Sequence, residues 1–160
     1  MSNNLRNFLI IASLLSTVIL SGQVQAQVFP RGNAMALAGI SQFDMYVQIQ
    51  NWENLSSDAG EFRLETLQQL AKELKTAGII RRPARRDYLV CSLQSTRDGN
   101  RTAYSASLQY WLMASTGAHK LMWENSHIAI VADRDFTANR IASECAGLIV
   151  DEWQRWNPGT

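Results

Sequence analysis

Arg97-Asp98-Gly99-Asn100 lies between two segments of alternating side chains, Tyr88 to Thr96 and Arg101 to Met113, and this leaves the middle of the chain little freedom. Asp-Gly suits a two-residue type I′ turn, whose twist matches that of the strands it joins. With Arg97 facing Asn100, Leu93 falls opposite Tyr104, Cys91 opposite Ala106 and Leu89 opposite Leu108. Both strands then present their apolar residues on one face, and a slip of one residue would reverse every side chain. Tyr110 and Leu112 extend that face. Ser115-Thr116-Gly117-Ala118 reads as a second turn, and Lys120 to about Asn125 as a return strand carrying Leu121 and Trp123. The expectation is an antiparallel meander.

Before the meander, Phe43, Met45, Val47 and Ile49 alternate with Asp44, Tyr46, Gln48 and Gln50, the period of a strand with one wet face. After a polar stretch from Asn51 to Gly60, Leu64, Leu67, Leu70, Ala71, Leu74 and Ala77 recur at helical spacing. Gly78 supplies a left-handed C-cap, and Lys72 and Lys75 lie near the helix's negative end. Asp135 is the expected N-cap of a last helix running to about Trp156, with Ile141, Cys145, Leu148, Ile149, Trp153 and Trp156 on its apolar stripe, stopped by Asn157-Pro158-Gly159. The order strand, helix, three strands, helix predicts a two-layer α+β sandwich, with a four-stranded, mainly antiparallel sheet carrying two amphipathic helices on one face.

The amino terminus predicts export. Arg6 precedes an uncharged apolar run of 13 residues, Phe8 to Leu20, too short to span a bilayer comfortably, and Val24-Gln25-Ala26 fits a signal-peptidase site. The expected division is therefore residues 1–26 as signal peptide, 27–38 as flexible leader, and 39–160 as a single domain in the periplasm or secreted. No Cys follows the apolar run for lipid attachment. Removing Arg6 takes the Lys plus Arg count from 15 to 14, against 14 Asp plus Glu. A neutral molecule lacks the basic excess that drives nucleic-acid binding, so nucleic acid is not an expected partner.

The layout resembles a family of small exported bacterial α+β proteins. The resemblance rests on the polar-flanked first strand, the helix ending Ala77-Gly78-Ile79, the Tyr-containing hairpin, Trp123 on a later strand, and the last helix ending Trp156-Asn157-Pro158. It implies no activity and carries no functional residues over.

The residues themselves offer four candidate features. Cys91 and Cys145 both fall on apolar faces that point between the layers, and in an oxidising compartment they are expected to form a disulfide. Arg81, Arg82, Arg85 and Arg86 bracket Pro83 as an anion or partner site, suited to an envelope protein or an anionic lipid headgroup. Trp111 and Met113, with Ser105, Ser107 and Gln109, fall on a sheet face that could dock a partner. His119, Glu124 and His127 are the basis for a ligand-binding or hydrolytic alternative, and the spacing of the two histidines fits neither a helical metal pair nor a zincin motif. No nucleophile elbow, phosphate loop or dinucleotide fingerprint occurs. The expectation is a non-enzymatic accessory protein binding an envelope component, with no cofactor or metal and an oligomeric state left open.

Overall fold

The computed structural model describes residues 31–52 and 58–159. The expected signal peptide, its cleavage site after Ala26, and the first part of the expected leader lie outside them. From Arg31 onward the chain is already part of the fold. Strand β1 (Arg31–Gly32) pairs with β6, and a 3-10 turn (Ala34–Leu37) follows, its Leu37 fully buried. The leader expectation for 27–38 is corrected over this stretch. Four residues are too few to show a period, so only the tertiary contact reveals that Leu37 is a core residue.

Strand β2 (Gln42–Gln50) leads into helix α1 (Ala59–Thr76), then β3 (Ile80–Arg81), β4 (Asp87–Asp98), β5 (Arg101–Met113), β6 (His119–Ala132) and helix α2 (Ala138–Trp156). The sheet has six strands in the order β1-β6-β5-β4-β2-β3 and is mixed, with more residues in strands than in helices. The four-stranded, mainly antiparallel sheet is thereby overturned. β2 lies parallel to both β4 and β3, because α1 carries the chain back across the sheet and a helical crossover returns it in the same direction. The two additional strands, β1 and β3, have two residues each.

The hairpin differs in register. Arg97 pairs with Thr102 and Asp98 with Arg101, which brings Leu93 opposite Ala106, Cys91 opposite Leu108 and Leu89 opposite Tyr110. Gly99 has φ +60°, while Asn100 is not among the residues of positive φ. The loop is therefore Gly99-Asn100 with glycine first, as a type II′ turn requires, and Asp98 is spared a left-handed conformation. The shift is two residues, so every side chain keeps its face. β6 runs to Ala132 rather than ending near Asn125. The last helix starts at Ala138, capped by the Thr137 hydroxyl accepting from Arg140 N–H, and Asp133–Asp135 forms a separate 3-10 turn.

Both helices pack on one side of the sheet. Phe43, Met45, Leu89, Cys91, Leu93, Ala106 and Leu108 point toward Leu70, Leu74, Ile141, Cys145 and Ile149, all fully buried. The Cys91 and Cys145 sulfurs lie 2.14 Å apart, a disulfide tying β4 to α2. Trp153 is fully buried; its Nε1 donates to the Ile40 carbonyl at 2.6 Å. Its ring lies 3.1 Å from where a Cβ on Gly78 would stand, so glycine serves there both the left-handed backbone (φ +94°) and the close approach of the helix layer.

Candidate interaction surface

The face of the sheet away from the helices carries a cluster of rings at one end. Tyr46 on β2, Tyr88 on β4, Trp111 on β5 and His119 on β6 belong to the alternate set of side chains, and no helix covers them. Tyr46 and Tyr88 meet edge to face at 5.7 Å, Tyr88 and Trp111 lie nearly coplanar in orientation at 6.5 Å, and Tyr88 meets the His119 ring edge to face at 5.7 Å. The polar rims are fixed: the Tyr88 hydroxyl is 2.7 Å from His119 Nδ1, and Trp111 Nε1 donates to Gln109 Oε1 at 2.9 Å. Leu121, opposite Trp111, and Met113, opposite His119, complete an aromatic and apolar patch. Tyr46 is 50% exposed and Trp111 half-buried, so the rings are held in place yet open to a partner.

The arginine loop abuts this patch. Arg81, Arg82, Arg85 and Arg86 are all exposed, on β3 and the connection to β4. Arg86 Nε donates to the Met113 carbonyl at 2.9 Å, and Met113 N–H donates to the Arg86 carbonyl at 2.8 Å. These bonds join two sequence candidates, the arginines and the Trp111-Met113 face, that the chain separates by 27 residues.

Asp44 makes the second junction, and sequence reasoning treated it as a wet-face residue. It is only 5% exposed. Its Oδ2 accepts from the Tyr46 hydroxyl at 2.7 Å and from Ala84 N–H at 2.8 Å, while Oδ1 accepts from Met45 N–H at 2.8 Å. The Ala84 bond braces the loop where Ala84 adopts φ +60°, a conformation strained for a residue with a Cβ. The Tyr46 bond, with burial, raises the pKa of that phenol above its ordinary value; burial does the same for Tyr88. Both rings present neutral hydroxyls at neutral pH. One signal in the sequence pointed toward Asp44: an acid two residues from a tyrosine on one strand face.

The alternative trio is not assembled. His119 and Glu124 lie on the open face, but Glu124 faces Gln109, which donates to it at 2.9 Å. A bulge near Trp111 shifts the β6 register by one, and His127 points to the helix side, 5% exposed. There it sits 2.9 Å from Glu144 Oε2, in a network with Tyr104 and Arg140. Burial opposes ionisation of Glu144, but the hydrogen bonds of His127 and Tyr104 and the charges of His127 and Arg140 outweigh it, leaving its pKa lowered. Burial and the Glu144 bond push the Tyr104 hydroxyl up to about 12. This network locks α2 onto β5 and β6. Among the described residues, no three His, Cys, Asp or Glu side chains are grouped to hold a metal ion.

Two of the remaining tryptophans pack inside the fold, whereas Trp156, expected on the apolar stripe of the last helix, is 37% exposed with its Nε1 donating to Glu152 Oε1 at 3.2 Å. Trp123 is buried in the core, and Trp52 packs against Phe62 and Phe136.

No protein-family model matches the chain, and no curated protein matches it. Solved structures do. A PelC dodecamer from Paraburkholderia phytofirmans is 20% identical with a TM-score of 0.53, and a point variant of it is 18% identical with a TM-score of 0.54. Each match covers 80% of this chain and 97% of the other. At this identity the likeness establishes a shared fold.

Proposed function

We propose that this is an exported, non-enzymatic accessory protein that docks an acidic protein segment of the bacterial envelope on the patch formed by Tyr46, Tyr88, Trp111 and Met113 with Arg81, Arg82, Arg85 and Arg86 at its rim. The observation that carries the reading is the pair of junctions, Arg86 with Met113 and Ala84 with Asp44, which make one continuous surface of rings and guanidinium groups. Aromatic rings contribute contact area at small entropic cost, and arginine pairs bidentately with carboxylates; both are the residues that dominate binding energy at interfaces. A molecule neutral overall but locally cationic selects an acidic partner by field as well as by contact. Export rests on the amino-terminal pattern and fits the disulfide, which persists in oxidising compartments. The dodecameric state of the PelC structures supports self-association as part of this reading, since several copies of a weak docking surface bind with avidity.

The test is capture from a native envelope fraction with the wild-type chain, the double variant Arg81→Glu/Arg85→Glu, and Trp111→Ala. A protein retained by the wild type, released by raised salt and lost with both variants supports the proposal. Retention unchanged in both variants refutes it. Binding of anionic vesicles in the absence of any captured protein would instead assign the arginines to lipid headgroups.

A further inference from the structure

Successive backbone N–H and C=O groups of a strand point to opposite sides, so alternate residues of β2 serve β4 and the others face outward. The outward set is fixed by Ser41 and Phe43, whose carbonyls accept from Ile80 N–H and Arg82 N–H at 2.8 Å. Met45, Val47 and Ile49 continue it. β3 ends at Arg81, and Asp44 Oδ1 takes the Met45 N–H at 2.8 Å. The outward groups of Val47 and Ile49 have no backbone partner among the described residues. Edges of this kind are normally blunted by charge, proline or a bulge. Met45 to Gln50 has neither charge nor proline, and its pairing with β4 runs unbroken. The chain turns off β2 at Trp52, whose ring packs against Phe62 and Phe136 on the helix side, and Arg31 enters the sheet at β1, the opposite edge.

A flank of α1 above this edge is apolar and also uncovered. α1 packs on β2 and β3, and α2 on β5 and β6, and Glu73 of α1 accepts from the Ser143 hydroxyl of α2 at 2.6 Å. Leu64 precedes Glu73 by nine residues, which at about 3.6 residues per turn places it on the opposite flank, turned from α2 toward the β2 edge. Leu67 and Ala71 follow Leu64 on that flank at helical spacing. Because Phe62 meets Trp52, the start of α1 lies beside the end of β2, and Leu64 and Leu67 stand over the free stretch rather than over β3. Leu64 is 56% exposed.

We infer that the acidic segment of the partner binds as an added strand: its backbone pairs with Val47 and Ile49 where β3 has ended, its helix-side residues cover Leu64 and Leu67, and its carboxylates reach Arg81 and Arg82. The inference rests on the acidic-partner reading above and adds the mode of binding. Strand addition draws affinity from main-chain hydrogen bonds and specificity from alternate side chains, and this edge offers both. Charge chooses the occupant. The exposed arginines stand at the end of the free stretch, and the stretch itself carries no charge to oppose an acidic chain.

The probe is a synthetic peptide of alternating Val and Thr with a pair of Asp at each end, so that it can run in either direction, together with two forms of it N-methylated at the valines or at the threonines. Side chains and backbone donors alternate together, so a strand that pairs through one edge tolerates one methylated form and not the other. Binding is read by fluorescence anisotropy, and amide hydrogen exchange locates it. The wild type should bind the parent peptide, lose about tenfold with one methylated form only, and gain protection at the Val47 and Ile49 amides. Ile49→Pro removes an N–H that no other group of the fold uses, and Leu64→Lys changes an exposed side chain, so it decides the matter if circular dichroism shows the proline variant unfolded. Each should weaken binding by about tenfold or more. Absence of binding by the wild type, equal affinity of the two methylated forms, or unprotected Val47 and Ile49 amides overturns the added strand. Capture from the envelope fraction separates this from the reading it rests on. A protein retained by Leu64→Lys as by the wild type, yet lost with Arg81→Glu/Arg85→Glu, leaves the acidic partner standing and overturns the strand, whereas no captured protein removes both.

Discussion

The two faces of the sheet are made from the same strands, often from adjacent residues, yet they are governed by different physics. On the helix side Phe43, Met45, Leu89, Leu93 and Leu108 are fully excluded from water, and the ionisable pair His127 and Glu144 is hydrogen-bonded, while the buried Ser95 hydroxyl has no partner among the described residues. On the open side Tyr46, Tyr88 and Trp111 are only partly covered and hold each other through ring contacts and single hydrogen bonds. The first face sets stability, because buried apolar area is the main favourable contribution to folding. The second is free to be specific, because little of the fold depends on it.

Substitutions should separate the faces. Trp153→Ala removes a fully buried indole and its bond to Ile40, and is expected to cost about 3–5 kcal/mol in denaturant unfolding. Reduction of the Cys91–Cys145 bond, which closes a separation of 54 residues, is expected to cost about 2–4 kcal/mol, read as a lower midpoint with dithiothreitol present. Glu144→Gln is expected to cost about 1–3 kcal/mol at neutral pH, by weakening the partner of a buried histidine. The pH dependence has a definite sign. Glu144 has a lowered pKa in the folded chain, so its stabilisation is present above the unfolded carboxylate pKa and lost as pH falls through the folded one. The wild type should therefore lose more stability than Glu144→Gln on acidification across that window, and equal acid limbs would remove the network from the account of the helix-side face. Trp111→Ala should be the mildest, about 0.5–1 kcal/mol in unfolding, while abolishing partner capture. A large loss of stability there would erase the distinction between the faces.

Periodicity was legible where an element is long and half wet. The alternation through Phe43, Met45 and Val47, the burial of Leu70 and Leu74 on α1, and the stripe that brings Cys145 toward Cys91 follow from local patterns, but Leu64 and Trp156, expected on the two helix stripes, are 56% and 37% exposed because the first turn of α1 buries Phe62 instead and the last turn of α2 runs beyond the sheet-facing Trp153. The hairpin's register was two residues off, because Asp-Gly and Gly-Asn are both good turns and local sequence does not decide which pair sits at the tip. The second half of β6 went unseen for a related reason. Ile128, Ala129, Ile130 and Val131 are apolar in succession, without the alternation that marks a strand with one wet face. β1 and β3 left no trace, since two residues have no period.

The functional surface divides in the same way. Arg81, Arg82, Arg85 and Arg86 are conspicuous as a run, and Trp111 and Met113 as alternate residues on one strand. Their union was not visible. It depends on Asp44 being covered on the open face, where it holds Tyr46 and Ala84, and on Arg86 meeting Met113, the Ala84 and Met113 contacts spanning 40 and 27 residues of chain.

By itself, the sequence determined the near balance of charges, most of the two helix stripes and the pairing partners Cys91 and Cys145, and it raised the expectation of export, because each of these follows from composition or from short-range periodicity. Only the tertiary structure decided that β2 runs parallel to β4, that His127 is enclosed with Glu144 while His119 joins the open face, and that the arginine loop meets the ring cluster. Those outcomes depend on which strands become neighbours, and neighbourhood is set by burying the whole core at once, a condition that no local stretch of residues contains.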